Sequence, residues 1–439
     1  MLHTTTYRSA PKAAVLRPGL RVARTIGCIV IWMLCAVITQ AREIAVRDDD
    51  GLLGALRVAQ AGDVLVLQGG EYGILALWPK GKVDPRFPGP VTLRSKDSQQ
   101  PAIFTGLRLN DAQNMVFQQI LFDYRATSGS FKERPFEIKN ARNIVITDSV
   151  FDGDNAHGTG IRGDGYGAGL GLSIRNSNDI RIENNMFKNF YRGLTMGSGN
   201  GNIVRGNDLS GMRSDGMNFV KVTNLLIENN YVHDFRRNME ARDHADMIQF
   251  WTNGAETPTT DIIIRGNVLN IGAGDHTQSL FMRNEAVDSQ GKGRAMFYRN
   301  ILIEDNVIIN GHLHGISIGE TDGLTIRNNT LIRAPRRGQI PPPSGRGPKH
   351  WMPRIKVADK SVNVTLQNNV APAIRVTGQR WRVVGNLAIQ DMSLMQPGHY
   401  TRVFENGLAA APYALDNFRT RAGGEADQAG LGATRLQEN

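Results

Sequence analysis

The chain has 439 residues, 21% charged and 41% hydrophobic, which excludes a disordered polymer and leaves room for one large solenoid or two to three ordinary domains. Its formal net charge is +10, its aromatic share only 7% and its glycine count 48, a combination that suits many tight turns around an aliphatic core. The two cysteines both fall in the first tenth of the chain, so the remainder can build neither disulfides nor thiolate metal sites.

In chain order, the first feature is a targeting pattern. Arg8, Lys12, Arg17, Arg21 and Arg24 precede an apolar run from Ile26 to Ile38, and no acid occurs before Glu43. A run of roughly 13 residues is short for a membrane span and right for the apolar part of a signal peptide. Thr39-Gln40-Ala41 offers a small-x-small cleavage site, so residues 1–41 are read as a signal peptide or, left uncleaved, an N-terminal anchor. That segment is the one expected membrane contact, and it places the protein outside the cytoplasm, periplasmic or secreted. It contains Cys28, Cys35 and five of the 51 basic residues; without it, 46 bases face 41 acids and the charge falls to +5. For an exported protein so mildly basic, the natural polyanion is an acidic polysaccharide rather than nucleic acid.

Next comes a helical stretch around Leu52 to Gln60, then a Val/Leu strand ending in Gly69-Gly70-Glu71-Tyr72. From there a repeat takes over. DIRIENNMF, NIVRGNDL, NLLIENNYV, DIIIRGNVL, NILIEDNVI, GLTIRNNTL and VNVTLQNNV each pass from an alternating apolar strand into an Asn, at Asn185, Asn207, Asn230, Asn267, Asn306, Asn329 and Asn369; NIVITDSVF has Ser149 there. Subtracting successive positions gives spacings of 36, 22, 23, 37, 39, 23 and 40. Spacings near 22 are single coils, and the longer ones are a coil plus a loop. One coil cannot bury its apolar face alone, whereas stacked parallel coils share a continuous core. The expected fold is therefore all-β: a single-stranded right-handed parallel β-helix over residues 42–405, with an N-terminal capping helix and a C-terminal tail at 406–439. The Asn column is structural, its side chains bonding along the stack and its turns tolerating left-handed backbone. Gly158 to Gly171 and the Pro- and Arg-rich 334–354 read as surface loops.

A second strand in each coil carries the chemistry. RGLTM, DGMNF, DMIQF, QSLFM and HGISI superpose from Arg192, Asp215, Asp246, Gln278 and His314. Leu194, Met217, Ile248, Leu280 and Ile316 should then point inward, and Thr195, Asn218, Gln249, Phe281 and Ser317 outward. Asp215 would stack on Asp246 and Asn218 on Gln249, about 4.8 Å apart. Two carboxylates that close share a proton or hold a cation, and Ca²⁺ on Asp215 and Asp246 is one expectation. Lys221, His244 and Arg242 are expected beside them, with Glu240 and Asp243 in the same loop and Arg283, Glu285, His314, His312 and Glu320 further along. Catalysis is assigned to Asp215, Lys221, His244 and Asp246, and substrate binding to Asn218, Gln249, Arg242, Arg283 and His314. The bland alternative is a pair of solvated turn acids.

Three chemistries are open to such a set. β-Elimination on a uronide uses Lys221 or His244 as base. Hydrolysis uses the carboxylate pair directly. C5-epimerisation starts like elimination. A non-catalytic carbohydrate-binding or adhesin-like surface would instead display aromatic platforms, for which Trp251, Trp351, Trp381 and Tyr191 are candidates.

With its repeat, the opening DGLLGALRVAQAGDVLVLQGGEYGILAL and the closing LDNFRTRAGGEADQAGLGA, the chain resembles the pectin-lyase-like superfamily of right-handed β-helix proteins. The resemblance covers nearly all of the mature chain. It implies the fold, but the superfamily hosts lyases, hydrolases, epimerases and non-enzymes. SDGMN, DHADMIQ and HGISIG resemble elements of polygalacturonase-type hydrolases, with Leu313, His244 and Ala245 departing from that pattern. DHAD is loosely similar to the Asp-Pro-His-Asp of alginate epimerases.

Overall fold

The computed structural model describes residues 41–238, 240–241, 243–275, 277–334, 352–408 and 414–437. The expected leader apart from Ala41, most of the 334–354 loop, Arg242 and Trp351 lie outside them. From Glu43 onward the chain winds as a parallel β-helix in which every strand pairs with its counterpart in the next coil. Each coil has three strands rather than two. A strand such as Ile203–Arg205 leads into the Asn turn, a three-residue strand such as Asp208–Ser210 follows, and a third, exemplified by Asp246–Phe250, forms the face that carries the candidate chemistry.

The alternation read from the sequence builds the core directly. On the leading face Ile146, Ile182, Val204, Ile227, Ile264, Ile303, Ile326 and Leu366 stack in register, all without exposed surface. On the short face Phe122, Phe151 and Phe187 stack with ring centroids 4.5 and 4.4 Å apart. Each such ring contributes about 3–5 kcal/mol relative to Ala.

The turn divides its labour between two residues. The left-handed position is the residue before the column: Asn184, Asn229, Asp305, Asn328 and Asn368 have φ near +54°, and Gly206 and Gly266 serve where φ is 66° and 63°. The column residue itself is buried and bonds along the axis. Asn207 Nδ2 donates to Ile182 O (2.8 Å) and Asn230 Oδ1 (2.9 Å), and its own Oδ1 accepts from Asn185 N (3.0 Å). Ser149 joins the ladder through its N–H to Asn185 Oδ1, and Asn386 extends it past Asn369.

Outside the leading face runs an alternating charge ladder in strict register: Glu183, Arg205, Glu228, Arg265, Glu304, Arg327. Arg205 bridges Glu183 and Glu228, and Arg265 also bonds Glu228. A one-residue slip of any coil would break it, so the ladder reinforces the register that burial demands.

The capping helix is Asp49–Val58, started by Asp48 accepting from Gly51 N at 2.7 Å. The last paired strand is Leu387–Ala388, short of the expected end at 405, because Tyr400–Val403 turns helical and closes the core. The tail then runs back along the Asn corner, bonding from Gly432 N to Asn368 O, Ala433 N to Thr330 Oγ1 and Thr434 N to Asp305 Oδ1. Among the described residues no helix is long and apolar enough to cross a membrane.

Candidate active site

The third strands of five coils meet in the expected register. Met217 pairs with Ile248 and Asn218 with Gln249; Asp246 pairs with Gln278, and Leu280 with Ile316. Between the acidic position and the first inward apolar residue lies a corner residue, and Gly216 shows what it does. A Cβ there would sit 3.0 Å from Val232 Cγ1 and 3.3 Å from Phe235 Cζ, so that position faces the core. The chain therefore turns a corner at Gly216, which sends Asp215 and Asn218 to the same outer side.

There they build a buried cluster. Asp215 Oδ2 accepts from Asn218 Nδ2 at 2.9 Å and lies 2.9 Å from Arg192 Nε, one coil below; its Oδ1 accepts weakly from Asp246 N at 3.3 Å. His244 Nδ1 contacts Asp246 Oδ2 at 2.9 Å, and one donor atom each of Asp215, His244 and Asp246 lie within 4.8 Å of one another. Trp251 Nε1 donates to Asn218 Oδ1 at 2.6 Å, which turns the Asn218 amide so that its NH₂ faces Asp215 and Gln249 Oε1.

Both acids have 0% exposed surface, which overturns the reading of solvated turn acids. The loops explain it. Arg213, 2% exposed, lies over the rings of Phe131 (4.6 Å) and Tyr191 (5.4 Å) and bonds Asp243 Oδ2 and Arg162 O, tying two loops together beside the cluster. His244 is the opening: its side chain is 60% exposed above the sealed pair.

Electrostatics follow from this burial. Desolvation pushes Asp246 up to about 7, with the Asp215 charge adding to it and the His244 contact opposing. Asp215 is likewise raised by burial, with Arg192 opposing the shift. His244 is raised by its bond to Asp246. Further along, burial and the charges of Arg354 and Lys356 bring His314 down to about 4, so it is neutral, its Nδ1 against Ser317 Oγ at 2.8 Å.

Of the expected residues, then, Asp215, Asn218, His244, Asp246 and Gln249 are together. Lys221 is not: it sits six residues past Asp215 at a left-handed position with φ 54°, and its ammonium has no hydrogen-bond or ion-pair partner among the described residues. Arg242 lies outside the described residues. Arg283 and His314 line a separate stretch of the same face, a cavity of 570 Å³ also lined by Phe281, Ser317, Lys356 and Arg375. Glu285 is held by Thr252 N at 2.8 Å and belongs to a short helix rather than to the cluster. Trp251 and Tyr191 are engaged in packing and hydrogen bonding, and Trp381 Nε1 donates to Ser361 O, so none of the three is an open platform. Arg192 went unassigned in the sequence although it heads the rung below Asp215, a signal the alignment itself contained.

The side-chain donors alone fall short of a full calcium shell. Ca²⁺ takes six to eight oxygens, whereas two carboxylates and an imidazole nitrogen converge here and the Arg192 cation already occupies Asp215 Oδ2.

The family described as right-handed β-helix region matches residues 137–331. No curated protein matches the chain. Similar solved structures include the Streptococcus pneumoniae surface protein and adhesin PfbA, at 14% identity over 79% of this chain and 100% of that one, TM-score 0.44. An alginate lyase from Paenibacillus is similar at 12% identity over 79% and 99% of the two chains, TM-score 0.36. The A-module of the Azotobacter vinelandii mannuronan C-5 epimerase AlgE6 is similar at 14% identity over 79% and 96%, TM-score 0.40. The coil architecture agrees with that match: the chain folds as a right-handed parallel β-helix.

Proposed function

We propose that this is an exported enzyme that cleaves a uronic-acid-containing polysaccharide by β-elimination along the third face of its β-helix, with His244 as the base. The observation that carries the reading is a solvent-facing imidazole seated on a sealed pair of carboxylates. Asp246 orients the ring through Nδ1 and raises its basicity, leaving Nε2 free toward the face.

The steps balance without an external reagent. Nε2 takes the proton on C5, beside the uronate carboxylate, and the electron pair becomes the C4=C5 double bond as the C4–O bond breaks. The departing oxygen takes the proton back from the imidazolium. Arg192, 31% exposed beside Asp215, supplies the cation that faces the uronate carboxylate as negative charge builds on it.

Burial supports elimination over direct hydrolysis. A glycosidase carboxylate must touch the anomeric carbon or the leaving oxygen, and neither Asp215 nor Asp246 has surface to do so. The test is incubation with a panel of uronic-acid polymers, following absorbance of unsaturated ends beside new reducing ends. Unsaturated ends that vanish in His244→Ala support the reading. Reducing ends without unsaturation would make the protein a hydrolase, inverted C5 without cleavage an epimerase, and binding without product a binding module.

A further inference from the structure

Three coils beyond Asp246, the same face changes character. Gln278 pairs with Asp246 on the next rung, the His314 rung follows, and His314 then pairs with Arg354. On the outward column Phe281 pairs with Ser317, Ser317 with Lys356 and Lys356 with Arg375. Lys356 and Arg375 are exposed like charges on directly adjacent rungs, an arrangement that costs stability unless an anion lies between them. Arg354 adds a third cation, with Nε buried and lacking any hydrogen-bond partner.

None of the three cations has an ion-pair partner among the described residues. Three acids also line this cavity, none of them ion-paired to these cations: Asp288 is bonded to Arg283 Nε at 2.9 Å, and Glu320 and Asp359 follow the ends of their strands. On the Glu183 to Arg327 ladder, by contrast, stacked positions alternate in sign. Lys356 and Arg375, in register with each other, line the cavity on the face that carries His244, and Arg354 stands two residues before Lys356 on the same strand.

We propose that Arg354, Lys356 and Arg375 form an anion-reading subsite that engages a sugar carboxylate three to four residues from the bond cleaved at His244. This rests on the proposed elimination for the identity of the cleaved bond, but not for binding. Rungs about 4.8 Å apart put the Lys356 and Arg375 rungs about 14 and 19 Å from the Asp246 rung. One rung is close to the length of one sugar residue in an extended chain, so a saccharide lying along the axis meets these cations only if it is at least four residues long. Phe281, half-buried between the two sites, offers an apolar edge for the intervening sugars.

The experiment is calorimetric titration of His244→Ala protein, alone and with Lys356→Gln plus Arg375→Gln added, against oligouronates of two to six residues and a carboxyl-reduced hexamer. Affinity should rise at least ten-fold between trimer and pentamer, and the added pair of substitutions should abolish that rise while leaving the dimer unchanged. The reduced hexamer should bind like the short oligomers. In the His244-containing protein, the double substitution should raise KM for long chains at least ten-fold with kcat nearly constant. Equal losses for short and long oligomers, no loss, no binding of any oligouronate, or tight binding of the reduced hexamer overturns the subsite. Length-dependent binding in a protein that generates no unsaturated ends leaves the subsite standing and refutes the elimination.

Discussion

Replacing Asp246 by Asn separates the site's cost from its use. Asp246 is sealed, and its carboxyl titrates at about 7 in the folded chain against roughly 3.9 in an unfolded one. The folded pKa is the higher, so between those values unfolding releases a proton and stability falls as pH rises. Three units correspond to about 4 kcal/mol of destabilisation fully present above pH 7 and absent below pH 4. His244, whose own value is raised by the same contact, returns part of this while it is protonated. Asn keeps the shape and cannot ionise, so Asp246→Asn should raise stability by about 1–3 kcal/mol at pH 7.5 and leave it nearly unchanged at pH 4. Activity should move the other way. The imidazole loses its orienting acceptor, kcat should fall about 10²–10⁴-fold, and the acid limb of the pH–rate profile should shift to lower pH. Denaturant melts at both pH values, with the pH–rate profile of each protein, are the assay. A variant less stable at pH 7.5 than the parent, or one with an unchanged acid limb, would refute the sealed-pair argument.

Asn207→Ala removes four side-chain bonds of the buried ladder and strands Asn185 N–H, so urea melts should show a loss of about 2–4 kcal/mol, with activity kept at low temperature. His233, held between Asp208 and Asp234, titrates at about 9; because that folded value lies above the unfolded 6.5, its stabilisation is complete below pH 6.5 and lost as pH rises through 9. His233→Gln should therefore flatten the fall in Tm between pH 7 and 9, which differential scanning calorimetry reads. Gly216→Ala puts a methyl 2.7 Å from Met247 O and against Val232; the corner must move, so both stability and kcat should drop, whereas Gly54→Ala in the capping helix, with nothing within 4 Å of the added methyl, should be neutral or slightly stabilising.

The scaffold was legible because its determinants are periodic. Every coil repeats the Ile/Val alternation and the Asn, and DGMNF over DMIQF set the rungs that pair Asn218 with Gln249. The turn was misread by one residue. Asn184-Asn185 offers two asparagines, and only the backbone distinguishes the one that adopts positive φ from the one that bonds along the axis; Gly206-Asn207 and Gly266-Asn267 held the clue, since Gly takes the left-handed place. The charge ladder from Glu183 to Arg327 was also visible once the coils were aligned, one residue per coil with alternating sign, but it lay outside the apolar positions used for alignment.

The site was less legible because what decides it is not periodic. Rung position says that Asp215 and Asp246 are adjacent, but whether they are solvated depends on insertions of irregular length. Arg213, Phe131, Tyr191 and Arg162 come from four separate stretches and meet only in the folded chain. Beside that packing the acidic pair is fully buried, and burial limits the roles it can take. In the proposed elimination, where a carboxylate without surface would not meet substrate, His244 is the base and the acids set its orientation and basicity. Lys221 fails for a complementary reason: it is near in sequence, but a strand carries its side chains away from Asp215 at about 3.3 Å per residue. In a solenoid, proximity runs across coils rather than along the chain. Arg192, 23 positions before Asp215 yet 2.9 Å from it, is therefore the better partner than a lysine six residues on.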